Sequence, residues 1–148
     1  MGFIRRHQIA QESKANALAV AQAAIEKKAD DVRVFDVAKL TSVADYLILC
    51  SGETERHVRA IADHIDQTLS AQRHPPLSME GASTAQWILI DFGDIVAHVF
   101  RSDIRAHYGL EHLWADAKQV RLPAKFQAPA LGPVPAAKPR TRRVRKQG

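Results

Sequence analysis

Five residues separate Cys50 from Arg56 in "LCSGETER", the spacing of the loop in which cysteine phosphatases hold a phosphate over a thiolate. Cys50 is the chain's single cysteine, so no other thiol competes for that role. A working thiolate needs positive potential around it. This loop supplies Glu53 and Glu55 instead, and both repel a phosphate dianion. No lysine or histidine stands beside Cys50 before the following helix starts. The same acids suit a first helical turn, where the macrodipole favours negative charge by roughly 0.3–1 kcal/mol each. The stretch therefore reads as a strand ending at Cys50, a bend relaxed by Gly52 and a helix capped by Ser51 or Thr54, with a buried, inert thiol.

Asp36, Asp45, Asp91 and Asp94 fall at the ends of predicted strands. Paired acids on neighbouring strands can hold Mg²⁺ in a nucleotidyl-transfer site, with "SG" at a helix N-terminus touching phosphate, and this is the alternative reading of the chain. Against it, Asp91 and Asp94 bracket a two-residue turn, where aspartate commonly serves turn geometry. No glycine-rich loop with a lysine accompanies them. The seven histidines form no metal signature. His57 and His64 are two turns apart on one predicted helix, and His107 and His112 straddle Gly109. His98 alternates with Ala97 and Val99 in a strand, so it is the histidine expected to be held by a specific partner. Trp87, Tyr108 and Trp114 are large aromatics that serve equally as core or as interface anchors.

These residues need elements to position them. Ser13 can cap a first helix over about 13–29, with Ala15, Leu18, Ala19 and Ile25 on one face. "DDVRVFDV" (30–37) alternates as a first strand, and "DYLILC" (45–50) reads as a second, covered on both faces. Too few residues separate them for a crossover helix, so they are expected to pair antiparallel. A second helix over about 53–72 carries Val58, Ile61, Ala62, Ile65 and Leu69 as its apolar stripe. It stops at "RHPPLS", since tandem prolines cannot continue a helix. The helix can carry a crossover back into the sheet. A short edge strand is expected near 77–80. "AQWILID" and "DIVAHVF" flank "FG" as a hairpin, with Gly93 supplying positive φ. "RSDIRAHYG" gives a short helix capped by Ser102 and stopped by Gly109, and "LEHLWADA" a further turn or two. The sum is an α/β (α+β) domain, a mixed sheet with flanking helices.

The chain has 148 residues, 46% of them hydrophobic and 25% charged, an ordinary balance for one globular domain with a core. No apolar stretch approaches the ~20 residues of a membrane span, and no apolar h-region follows the N-terminal arginines. One cysteine fits a reducing cytosol, so a cytoplasmic location is expected. The net charge of +5 is unevenly spread. Residues 123–148 carry Lys125, Lys138, Arg140, Arg142, Arg143, Arg145 and Lys146 and no acid, whereas 1–122 are mildly acidic. The division is a folded domain over 1–122 and a Pro/Ala-rich basic tail over 123–148, which reads as disordered. Arg140, Arg142, Arg143, Arg145 and Lys146 are candidate RNA-contacting residues; a plain solubility tail is the other reading.

"KKADDVRVFDV", "SVADYLILCSGETERHVRAIADHI", "EGASTAQWILIDFGDIVAHVF" and "RAHYGLEHLW" together resemble the ribosomal silencing factor, or Iojap-like, family. The resemblance covers about 14–117. It rests on Asp-Tyr before the second strand, Ser-Gly before the helix, Trp-x-x-x-Asp-x-Gly-Asp, His-x-Phe at the hairpin's end and Tyr-x-Leu-Glu-x-Leu-Trp. It implies a nucleotidyltransferase-like fold without a demonstrated catalytic set. It implies a non-enzymatic translational repressor, with no cofactor or metal. Such a protein binds the large ribosomal subunit through ribosomal protein L-fourteen, blocks joining to the small subunit and lowers translation under nutrient limitation. Organellar relatives act in ribosome assembly. Trp87, Asp91, Asp94, His98, Tyr108, Leu110 and Glu111 match the family's characteristic positions. With Leu89, which shares a strand face with Trp87 and Asp91, they are the expected partner-binding residues. Ile88, Ile90 and Phe92 occupy the opposite face. Glu55 departs from the small polar residue common in relatives, which weakens any phosphate contact there. An exposed hairpin face could also let the free protein form a homodimer.

Overall fold

The structure, a computed structural model, describes residues 2–126, with side chains from residue 11 onward. Helix α1 (Gly2–Glu26) is followed by strands β1 (Asp30–Asp36) and β2 (Tyr46–Gly52), helix α2 (Glu55–Ala71), and strands β3 (Ser78–Glu80), β4 (Trp87–Asp91) and β5 (Ile95–Arg101). Helices α3 (Ser102–Tyr108) and α4 (Leu110–Leu113), strand β6 (Lys118–Val120) and a 3₁₀ turn (Ala124–Phe126) complete the described chain. The six strands form one mixed sheet in the order β3-β4-β5-β2-β1-β6. β1 and β2 are antiparallel neighbours, as their short connection requires, and β2 runs parallel to β5.

Two apolar layers sandwich this sheet. On one face, Val34, Ile48, Cys50, Ile88, Ile90 and Val99 meet Ala17, Val20 and Ala24 of α1 and the full predicted stripe of α2. On the other, Phe35, Leu47, Leu49, Val96 and Phe100 lie beneath Ile104, Leu110 and Trp114 from the C-terminal helices. β2 and β5, packed on both sides, are buried along almost their whole length, which is why they read as nearly continuous apolar runs. Trp114 is half-buried against the second layer.

The structure corrects the start, cap and buried face of the first helix and the cap of α3, and adds two features. α1 begins well before residue 13, because nothing from Gly2 to Glu12 breaks a helix, and Ser13 is not its cap. Ser13 is buried mid-helix and donates to Asp45 Oδ2 at 3.1 Å. The buried residues of α1 are Ser13, Ala17, Val20, Ala21, Ala23 and Ala24, while Ala15 is exposed and Leu18, Ala19 and Ile25 are only half-buried. Alanines set this rotation: their small side chains let α1 lie close to α2 and the sheet, and a ranking by side-chain apolarity points to the wrong face. Ser102 does not cap α3 either; it is the first helical residue and donates to the Gly52 carbonyl at 3.1 Å. β6 was not expected, since three residues carry no usable alternation; it adds to the outer edge of β1. Phe126, assigned by sequence to the tail, is buried.

Candidate partner-binding site

The junction that opened the question of phosphate chemistry is structural. Thr54 caps α2, its Oγ1 accepting from the His57 amide at 3.0 Å. His57 fills the approach to the helix: its Nδ1 accepts from the Glu53 amide at 3.3 Å and its Nε2 meets the Lys27 carbonyl oxygen at 2.8 Å. Cys50 is fully buried, and burial pushes its thiol up to about 12, so no thiolate forms at neutral pH. The four aspartates do not assemble as a set. Asp36 accepts from the Ala38 amide at 3.2 Å, and Asp91 Oδ1 accepts from the Gly93 amide at 2.8 Å, closing the hairpin turn. Asp94 faces the α1 layer, where Oδ1 meets His74 Nε2 at 2.9 Å and Oδ2 accepts from Asn16 Nδ2 at 3.3 Å. Burial pushes the Asp94 carboxyl up, but hydrogen bonds from His74 and Asn16 and the His74 charge together hold it below its ordinary value. Among the described residues no group of three or more His, Cys, Asp or Glu side chains is placed to hold a metal ion.

The hairpin gathers a different set. Antiparallel register sets Trp87 opposite Phe100 and Leu89 opposite His98, all on the face away from α1 and α2. Gly93 (φ +95) makes the turn that fixes this register. Trp87 Nε1 donates to His98 Nδ1 at 3.0 Å. Since an indole nitrogen can only donate, Nδ1 is the acceptor and the neutral ring carries its proton on Nε2. Burial pushes His98 down to about 4, which keeps it neutral and able to accept. The Trp87 ring lies 4.9 Å from Phe100 and 5.0 Å from Tyr108, centroid to centroid. Tyr108 ends α3, which Gly109 closes in the left-handed region (φ +56), and 57% of the tyrosine remains exposed. The result is an aromatic cluster in which Tyr108, at the end of α3, packs on Trp87 and leaves one face open to solvent.

The predicted residues therefore separate. Trp87, Leu89, His98 and Tyr108 form one patch, Leu110 packs into the same layer, and Asp91 shares their strand face at the hairpin end. Asp94 lies on the opposite side. Glu111 is engaged by Arg105, accepting on Oε2 from Nη2 at 3.0 Å and Nε at 3.2 Å. Arg105 is buried and also donates to the Asp31 carbonyl at 2.8 Å and to Ser51 Oγ at 3.3 Å, so it ties the C-terminal helices to β1 and β2. Nothing in "SDIRAHY" distinguishes this arginine from a solvated one, and sequence reasoning missed it. It missed Phe100 as an aromatic partner of Trp87 as well, although the alternation of His98 and Phe100 in β5 carried that signal. Arg140, Arg142, Arg143, Arg145 and Lys146 lie outside the described residues.

Comparison with known proteins follows the same segments. The family described as ribosomal silencing factor during starvation matches residues 10–147. The ribosomal silencing factor of Halalkalibacterium halodurans is 40% identical over 97 residues, covering 66% of this chain and 83% of that protein. That of Bacillus subtilis is 40% identical over 97 residues, covering 66% and 82%. A crystal structure of a Chromobacterium violaceum protein superposes with a TM-score of 0.66 at 32% identity, covering 71% of this chain and 85% of that one.

Proposed function

The chain belongs to the ribosomal silencing factor family, and from that premise we propose that it represses translation by binding the large ribosomal subunit and blocking its union with the small one. The contact runs through ribosomal protein L-fourteen, and repression serves nutrient limitation in the cytoplasm. The family match over residues 10–147 is the observation that carries the reading. A mouse relative, 29% identical, is named for mitochondrial assembly of the ribosomal large subunit, which points to the same subunit. The Trp87–Leu89–Tyr108 patch is the docking face: a fixed aromatic anchor with an exposed tyrosine is what interface hot spots are made of. Blocking needs no chemistry, since a bound domain on a joining surface competes sterically and its affinity sets the effect. The basic tail adds attraction to ribosomal RNA, and a homodimer through the same patch is the free protein's way of covering it.

Sedimentation of purified subunits with added protein tests this. The wild-type chain is expected to reduce joined ribosomes, and Tyr108→Ala, which removes a largely exposed ring, to weaken that effect with a fall in melting temperature of only a few degrees. Undisturbed joining by the wild type would remove the function. A fully active Trp87→Ala/Tyr108→Ala chain would move the contact elsewhere. Metal-dependent nucleotide turnover abolished by Asp91→Asn would replace the reading with an enzymatic one.

A further inference from the structure

Beside the aromatic cluster, strands β3 and β4 leave an open groove of about 280 Å³ lined by Glu80, Gly81, Trp87 and Leu89. Its lining is mostly apolar, and Glu80 is the one acid in it. Glu80 sits directly opposite Leu89 in the β3–β4 register, exposed, and has no ion pair among the described residues. Asp91 lies two residues beyond Leu89 on the same strand face, and it too has no cation within salt-bridge distance among the described residues. β3 and β4 place no lysine or arginine on this face: Ser78, Glu80, Trp87, Leu89 and Asp91 are its members. His98, the polar group behind them, is neutral. Gly81 lets the chain after β3 lie against the backbone at Trp87: its φ is +87, and a Cβ there would sit 2.1 Å from the Trp87 carbonyl oxygen. The indole is already immobilised by the His98 hydrogen bond and two ring contacts, so little freedom remains to be lost on binding.

A phosphate or nucleic-acid backbone is repelled by these two carboxylates. A purely aliphatic side chain would leave Glu80 uncompensated. A long cationic side chain satisfies each part: methylenes pack on Leu89, and the charge meets a carboxylate and an aromatic face. We propose that this groove receives a lysine or arginine of the protein partner, with the stem on Leu89 and the charged head between Glu80 and the Trp87 indole. This rests on the reading that the chain binds the large subunit, and it specifies the chemistry of the protein surface that binding requires.

The test pellets the full-length chain with purified large subunits at two salt concentrations, comparing wild type, Glu80→Gln and Glu12→Gln. Glu12 is an exposed acid on α1, so its change alters net charge equally without touching the groove. Glu80→Gln is expected to weaken binding about tenfold and to lower its sensitivity to salt, while Glu12→Gln does neither. Equal affinities and salt slopes for the two variants overturn the proposal and leave subunit binding standing. A wild-type chain that fails to pellet overturns both. Ultracentrifugation of the chain alone covers the other occupant: if Glu80→Gln alters self-association and not subunit binding, a second copy fills the groove and the proposal is wrong.

Discussion

Glu111→Ala separates a residue that touches a partner from one that holds the fold. Arg105 is 7% exposed at its side chain and Glu111 23% exposed, and their Nη2–Oε2 distance is 3.0 Å. Losing one member of a well-buried pair costs about 3–5 kcal/mol, because the remaining charge is left uncompensated. Two features reduce the figure here. Arg105 keeps the Asp31 carbonyl at 2.8 Å, and Asp31 Oδ2 remains 3.5 Å away, although that carboxylate is half-exposed and screened. Water can also enter beside it, since Asp31, Ser102, Arg105, Gly109 and His112 line an open pocket. The expected cost is about 2 kcal/mol, the scale of stranding a charged donor without burying it completely. For a domain of this size that lowers Tm by roughly 6–10 °C. Thermal melts followed by circular dichroism measure it. Arg105→Met/Glu111→Leu should recover much of the loss, because an apolar pair strands no charge. A Glu111→Ala chain melting within about 1 °C of wild type, yet binding large subunits poorly, would refute the structural role and return Glu111 to the partner surface.

Three further outcomes follow from the buried groups. Cys50, pushed up to about 12 by burial, should resist iodoacetamide at pH 8 in the native chain and react once denatured; rapid native labelling would contradict its burial. His98, held down at about 4 against an ordinary 6.5, binds its proton less readily folded than unfolded, so stability should fall as pH drops from 6.5 to 4, by up to about 3 kcal/mol. His98→Gln should flatten that window in denaturant titrations, and a His98 ring that titrates near 6.5 by NMR contradicts the argument. Asp94, held below its ordinary 3.8, contributes stability that is complete above that value and lost as pH falls through the lower folded one. Asp94→Asn should therefore cost about 1–2 kcal/mol at pH 7, with the gap to wild type closing in acid.

Much of this was readable in the residues themselves. The α2 stripe, the hairpin and its glycine, the antiparallel β1–β2 pair and the Gly109 stop each follow from a local rule of period or turn chemistry, and each stands in the structure. What failed depends on packing at a distance. Ser13 looks like a cap until Asp45 is found beside it, and the alanine face of α1 is selected by neighbours that no helical period names. Trp87, His98 and Tyr108 were legible through the family resemblance, whereas Phe100, two residues past His98 in β5, was missed. The roles of Arg105 and Glu111 were not legible, since they are set by β1 carbonyls remote in the chain. Glu80 and Gly81 join the site only through the register of a three-residue edge strand.

The parallel pairing of β2 with β5 spans all of α2, β3 and β4. Closing that loop is slow beside the microseconds in which a hairpin forms. β4 and β5 share a tight turn at Gly93, so Trp87 can find Phe100 and His98 before the centre of the sheet exists. During synthesis α3 and α4 follow β5 in the chain, and until they fold the apolar second face of the hairpin is bare. Two unfinished chains meeting at that moment would be drawn together edge to edge. Glu80 and Asp91 put like charges on that bare face, and like charges on two copies repel, which disfavours such an approach.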